Sequence, residues 1–173
     1  MRQLNAASTS PFNWWNRLSC TEPGVGRLEL FEKPSDYSAF EKILAEAHHR
    51  TSIRIAAYCL MPNHWHLLLW PRTDGELSEV MRWITVTHTQ RWHAYRHSSG
   101  TGPVYQGRFK SFPVQTDEHF ITVARYVERN ALRAKLVERA EEWRWSSANR
   151  GSPGCEAHGI FKFMADGATA KLD

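Results

Sequence analysis

The 173-residue, 20.0 kDa chain has the length of one domain around one core. Hydrophobic residues make up 42% and charged residues 23%, and apolar runs such as Leu67-Leu68-Leu69-Trp70 fall far short of a membrane span of about 18 residues. Arg2 is followed by no apolar h-region, and Cys20, Cys59 and Cys155 are far apart with no CxxC, so a secretory signal, a disulfide framework and a cysteine zinc finger are set aside for a reducing, cytoplasmic, nucleoid-associated setting.

Residues 1–23 read as an irregular segment in which Phe12, Trp14 and Trp15 interrupt small and polar residues without a period. A domain is expected over 24–148. Ser35 is placed to cap a helix to about His49, with Tyr37, Phe40, Ile43, Leu44 and Ala47 on one stripe. Ile53–Cys59 and His64–Trp70 read as an antiparallel hairpin turned by Pro62 and Asn63. After a turn at Asp74-Gly75, Leu77, Val80, Met81, Ile84 and His88 recur at helical spacing and predict a helix from about Leu77 to Arg96. Val104 to Val114 reads as extended, kinked at Gly107 and Pro113. Thr116 would cap the next helix, which buries Phe120, Val123, Ala124 and Val127; a shorter helix is expected over Leu132–Glu141. Trp143-Arg144-Trp145 packs back on the core, and 149–173 is a loosely held tail.

The net charge of +4 is less informative than its distribution. From Val80 to Thr116 there is no Asp or Glu, while Arg82, Arg91, Arg96, Arg108 and Lys110 alternate with Trp83, Trp92, Tyr95, Tyr105, Phe109 and Phe112. Cations that track phosphates and rings that stack unpaired bases suit single-stranded nucleic acid. The same pattern also describes a solvated basic face whose rings belong to the core. No GxxxxGK[ST] or GxGxxG is present, so a nucleotide cofactor has no support.

Two positions can carry chemistry. On a strand His64 and His66 face one way and Trp65 the other, which makes half of a divalent-metal site or a pair of structural histidines. Tyr126 lies at the edge of its helix's apolar stripe, in a polar row with Thr122 and Asn130. Its hydroxyl can attack phosphorus beside a metal, or stay wet above a packed ring.

Three stretches, Tyr58-Cys59-Leu60-Met61-Pro62-Asn63-His64-Trp65-His66-Leu67-Leu68-Leu69, Gly102-Pro103-Val104-Tyr105-Gln106-Gly107-Arg108-Phe109-Lys110 and Arg125-Tyr126-Val127-Glu128-Arg129-Asn130-Ala131-Leu132-Arg133-Ala134, closely resemble REP-associated single-tyrosine transposases. These belong to the IS200-like family of the HUH endonuclease superfamily, and the ordered match runs from about Gly24 to Ser147. The resemblance implies a ferredoxin-like α+β fold, an antiparallel sheet with helices packed on one face. It also implies Mg²⁺ or Mn²⁺ held by His64 and His66 on a scissile phosphate of single-stranded or stem-loop DNA. Tyr126 would be the nucleophile, leaving a 5′-phosphotyrosine and a free 3′-hydroxyl. Arg82, Arg91, Arg108 and Lys110 would hold phosphates, and Tyr105 with Trp83 or Trp92 would stack bases. A monomer or homodimer with no membrane partner is expected.

This chain departs from the pattern twice. Where relatives carry a glutamine as third ligand it has Asn130, whose amide oxygen suits a hard cation and whose position also suits a cap for the helix beginning near Ala131. Where relatives begin with an interior strand, Asn13-Trp14-Trp15-Asn16-Arg17-Leu18-Ser19-Cys20 shows no convincing alternation, and if no strand forms there that sheet position is empty or irregularly filled. The competing reading is a catalytically inactive single-stranded nucleic acid binding module derived from such a transposase.

Overall fold

The computed structural model describes residues 15–19, 28–105, 109–114 and 117–151. The elements follow as β1 (Trp15–Ser19), α1 (Pro34–Thr51), β2 (Arg54–Met61), β3 (His64–Trp70), α2 (Glu76–Arg96), β4 (Lys110–Val114), α3 (Asp117–Glu128) and α4 (Asn130–Arg133). The four strands lie in the order β2-β3-β1-β4, with every neighbouring pair antiparallel. That order with a βαββαβ succession is the ferredoxin-like arrangement, so the expected α+β class is found. No helix among the described residues is long and apolar enough to cross a membrane.

The interior strand is present, which corrects the expectation of an empty or irregular place in the sheet. Asn16 to Ser19 pair with Leu69 to His66 on one side, and Trp15 to Ser19 with Val114 to Lys110 on the other. A five-residue strand hydrogen-bonded on both edges is fixed by its backbone partners and needs no alternating signature of its own.

Strand alternation sorts the side chains into two layers. Tyr58, Leu60, Trp65, Leu67 and Leu69 meet Phe40, Ile43, Leu44, Val80, Met81 and Ile84 of α1 and α2 in the larger core. Ala57, Cys59, Met61 and Leu68 turn to the opposite face and meet Val127 and Ala131 of α3 and α4. A register irregularity between Ile55 and Ala57 lets these two residues, two apart, join different layers. The helical layer expected on one face is thus α1 with α2, and the other face carries α3 in addition.

Several boundaries differ in detail. α1 begins one residue before Ser35: Pro34 supplies a preset first turn, and the Asp36 carboxylate accepts from the backbone N–H of Glu32 and Lys33. Gly75, at φ 85°, opens α2 in a conformation open to glycine. The helix expected over Leu132–Glu141 stops at Arg133, because Lys135 turns left-handed (φ 58°) while Leu136 N–H closes back on the Ala131 carbonyl. Trp145 stacks on Tyr37 at 4.8 Å as the expected packing back, and Leu60 N–H donates to its carbonyl. Ser147 is also held, its hydroxyl donating to Glu128 Oε1 at 2.7 Å. The Thr116 cap, Gly107, Cys20, Cys155, and most of the N-terminal segment and C-terminal tail lie outside the described residues.

Candidate active site

The two-residue turn at Pro62-Asn63 starts β3 on His64, and alternation then aims His64 and His66 at the α3 side. Asn63 Oδ1 lies 2.7 Å from His64 Nδ1, which fixes the first ring by its far nitrogen. The two Nε2 atoms converge to 3.1 Å, and the rings stand at 86° with centroids 4.9 Å apart. Neighbouring vertices of an octahedron with bonds of about 2.1 Å lie about 3.0 Å apart, so the spacing fits one divalent cation bound by both. The donor set is two imidazoles. Among the described residues no group of three or more His, Cys, Asp or Glu could hold a metal. Imidazole nitrogens suit a transition-metal cation better than Mg²⁺, a hard ion that prefers oxygen ligands.

Tyr126 reaches the same place from α3. Its ring is 6.3 Å from the His66 ring at 90°, and α3 and the α4 that follows are seated by Val127 and Ala131, both fully buried. The Arg133 guanidinium carbon lies 4.6 Å from the centre of the Tyr126 ring. Asn130, four residues after the tyrosine, donates its amide Nδ2 to the carbonyls of Tyr126 (2.8 Å) and Val127 (3.1 Å). It therefore satisfies the end of α3, in place of the expected cap for the next helix. Both bonds use the amide nitrogen; the amide oxygen, the atom expected as third ligand, takes part in neither.

The predicted DNA-binding residues separate. Lys110 is aligned through Ser19 with His66, so it shares their face about 10 Å away across the sheet. Phe112 follows on that face, 56% exposed. Arg91 instead makes a two-armed ion pair with Glu46 of α1 at 2.8 and 2.9 Å, which holds that carboxyl below the usual range. Arg82 is exposed on α2 without an acid partner among the described residues. Tyr105, expected to stack bases, is turned inward: its hydroxyl accepts from Trp65 Nε1 at 3.0 Å and meets His88 Nδ1. Trp92 donates to the Leu30 carbonyl and is covered by Arg96. Arg108 lies outside the described residues.

Burial pushes His88 down to about 3, helped by the charge of Arg96 and opposed by Asp36. The ring is therefore neutral, and Tyr105 donates to it. The arginines of α3 and α4 were missed as site residues in the sequence. Arg125, Arg129 and Arg133 recur every four residues around Tyr126, Arg125 in α3, Arg133 in α4 and Arg129 at the junction between them.

The family model for IS200-like transposases matches residues 26–130 of the chain. No curated protein matches. Among solved structures the chain is similar to a REP-associated tyrosine transposase bound to a REP hairpin, at 18% identity, covering 87% of this chain and 84% of that one, with a TM-score of 0.64. It is also similar, at 12% identity, to a proposed transposase from Deinococcus radiodurans R1, covering 73% of this chain and 97% of that one with a TM-score of 0.48.

Proposed function

The chain belongs to the IS200-like transposase family, and from that membership we propose that it cleaves single-stranded DNA and transfers the cut strand through a 5′-phosphotyrosine at Tyr126. Stem-loop repeat DNA is the proposed substrate, by analogy with the hairpin bound to its structural neighbour. The observation that carries the reading is the meeting of His64, His66 and Tyr126, drawn from β3 and α3, at one spot on the sheet.

His64 and His66 would hold Mn²⁺ or Mg²⁺ through their Nε2 atoms, and the cation when bound supplies Lewis-acid polarisation of the phosphodiester. Tyr126 contributes the nucleophile. Its phenolic oxygen bonds to phosphorus, the bond from phosphorus to the 3′ oxygen breaks, the phenolic proton is lost, and the leaving 3′ oxygen gains a proton. Attack by another 3′-hydroxyl on the phosphotyrosine reverses the exchange and joins a new strand. One ester replaces another at each step, so no nucleotide triphosphate is needed. The inactive-module reading drew its force from a missing interior strand, and β1 occupies that place.

The test is incubation of the full chain with a labelled stem-loop DNA and Mn²⁺ or Mg²⁺. A denaturant-resistant adduct is expected, lost with a chelator and in His64→Ala/His66→Ala, while DNA binding by the folded variant persists. Full cleavage by that double variant would overturn the metal assignment.

A further inference from the structure

We propose that Arg133 anchors the phosphate presented to Tyr126, its guanidinium contacting a non-bridging oxygen while it rests on the tyrosine ring. The inference builds on the reading of Tyr126 as nucleophile and adds a residue to that site. Its ground is a contrast among arginines: Arg50, Arg54 and Arg144 also lie over rings, those of Trp83, Trp70 and Trp145, whereas Arg133 lies over the tyrosine beside the histidine pair. Arg72, Arg91, Arg96 and Arg139 each face a carboxylate. Arg133 is exposed, pairs with no acid among the described residues, and is placed 4.6 Å over the Tyr126 ring. Contact with a ring uses the delocalised charge of a guanidinium and leaves N–H donors for an oxyanion, which a carboxylate partner would have occupied.

The backbone keeps this pair in register. Arg133 is seven residues after Tyr126, two helical turns on the same side. The chain leaves helical geometry at Arg129, yet Arg129 N–H still bonds the Arg125 carbonyl at 3.0 Å and Arg133 N–H the Arg129 carbonyl at 2.9 Å. Asn130 ties the junction from the side through the Tyr126 and Val127 carbonyls. Val127 and Ala131 seat it on the sheet. The ring, the guanidinium and the two imidazoles are thus carried by one packed unit.

Arg133→Gln and Arg133→Lys in the full chain test this against a stem-loop oligonucleotide with a single-stranded flank. Binding is measured over a salt series, and adduct formation at saturating DNA with Mn²⁺. Arg133→Gln should reduce the salt slope by about 0.7 and slow adduct formation about 100-fold. Arg133→Lys should restore the slope but only part of the rate, because an ammonium keeps the charge and lacks the planar fork. Wild-type slope and rate in Arg133→Gln overturn the inference and leave the nucleophile reading standing. A reduced slope with a wild-type rate also overturns it, since the contact then lies away from the reacting phosphate. If the wild type binds DNA and forms no adduct, the nucleophile reading fails, and the slope of Arg133→Gln alone decides whether Arg133 meets a phosphate.

Discussion

The two faces of the sheet are built for different purposes. On the α1–α2 side the layer is thick and aromatic: Trp65, Tyr58, Phe31 and Phe40 are fully buried, and Arg91 and Arg96 of α2 are matched by carboxylates of α1 and the segment before it. On the α3 side the layer is thin, made of Ala57, Cys59, Leu68, Val127 and Ala131, and its arginines have no acid partners among the described residues. The division runs through a single stretch of strand, where Trp65 enters the thick core and His64 and His66 face the thin one. One rigid element thereby anchors itself on one side and presents imidazoles on the other. The contrast also shows why an acid-free run in sequence is not a basic face in space: Arg91 and Arg96 meet Glu46, Glu32 and Asp36 from chain segments about 45 to 64 residues away.

If the thick side holds the fold and the thin side the chemistry, Tyr105→Phe should cost stability and spare DNA binding. It removes the hydroxyl that serves both Trp65 and His88, at about 1–3 kcal/mol for each buried group left unsatisfied. Denaturant melts and DNA titration check both halves, and an unchanged melt would contradict the hydrogen bonds that tie Tyr105 to Trp65 and His88.

A smaller effect comes from acid. His88 ordinarily titrates near 6.5 and is pushed down to about 3 in the fold, so the unfolded chain takes up its proton first. Stability should be level in this group above pH 6.5 and fall between about 6.5 and 3, by at most about 1.4 kcal/mol per pH unit. Melts from pH 7.5 to 5.5 measure the onset, and a flat profile would contradict a buried neutral ring.

The smallest change is expected from Arg91→Ala. An exposed ion pair contributes roughly 0–1 kcal/mol, and the salt slope for DNA should stay at the wild-type value. Lys110→Ala, on the site face, should lower it by about 0.7. Equal losses in both variants would erase the distinction between the faces.

Much of this organisation is legible in local pattern. Tyr37, Phe40, Ile43, Leu44 and Ala47 mark α1, and Val80, Met81, Ile84 and His88 mark α2, because a helix repeats its buried side every three or four residues. The hairpin and the shared face of His64 and His66 follow from strand alternation alone. What escapes is set by distant partners. β1 carries Asn16, Arg17 and Ser19 and is a strand through its pairing with β3 and β4. Glu46 decides the fate of Arg91, and Trp65 and His88 decide that of Tyr105, across separations that no window of sequence contains. Asn130 had two chemically sound uses, and the open carbonyls at the end of α3 provided a third.

The central claim, that Tyr126 beside the histidine pair forms a covalent bond to DNA, is tested most directly by intact-mass measurement of the protein after incubation with stem-loop DNA and Mn²⁺. The wild-type chain should gain the mass of the 5′-phosphorylated cleavage product less one water, and peptide mapping should place it on Tyr126. Tyr126→Phe keeps the ring under Arg133 and loses only the hydroxyl, so it should bind the DNA and gain no mass. An adduct of undiminished yield on Tyr126→Phe would contradict the account.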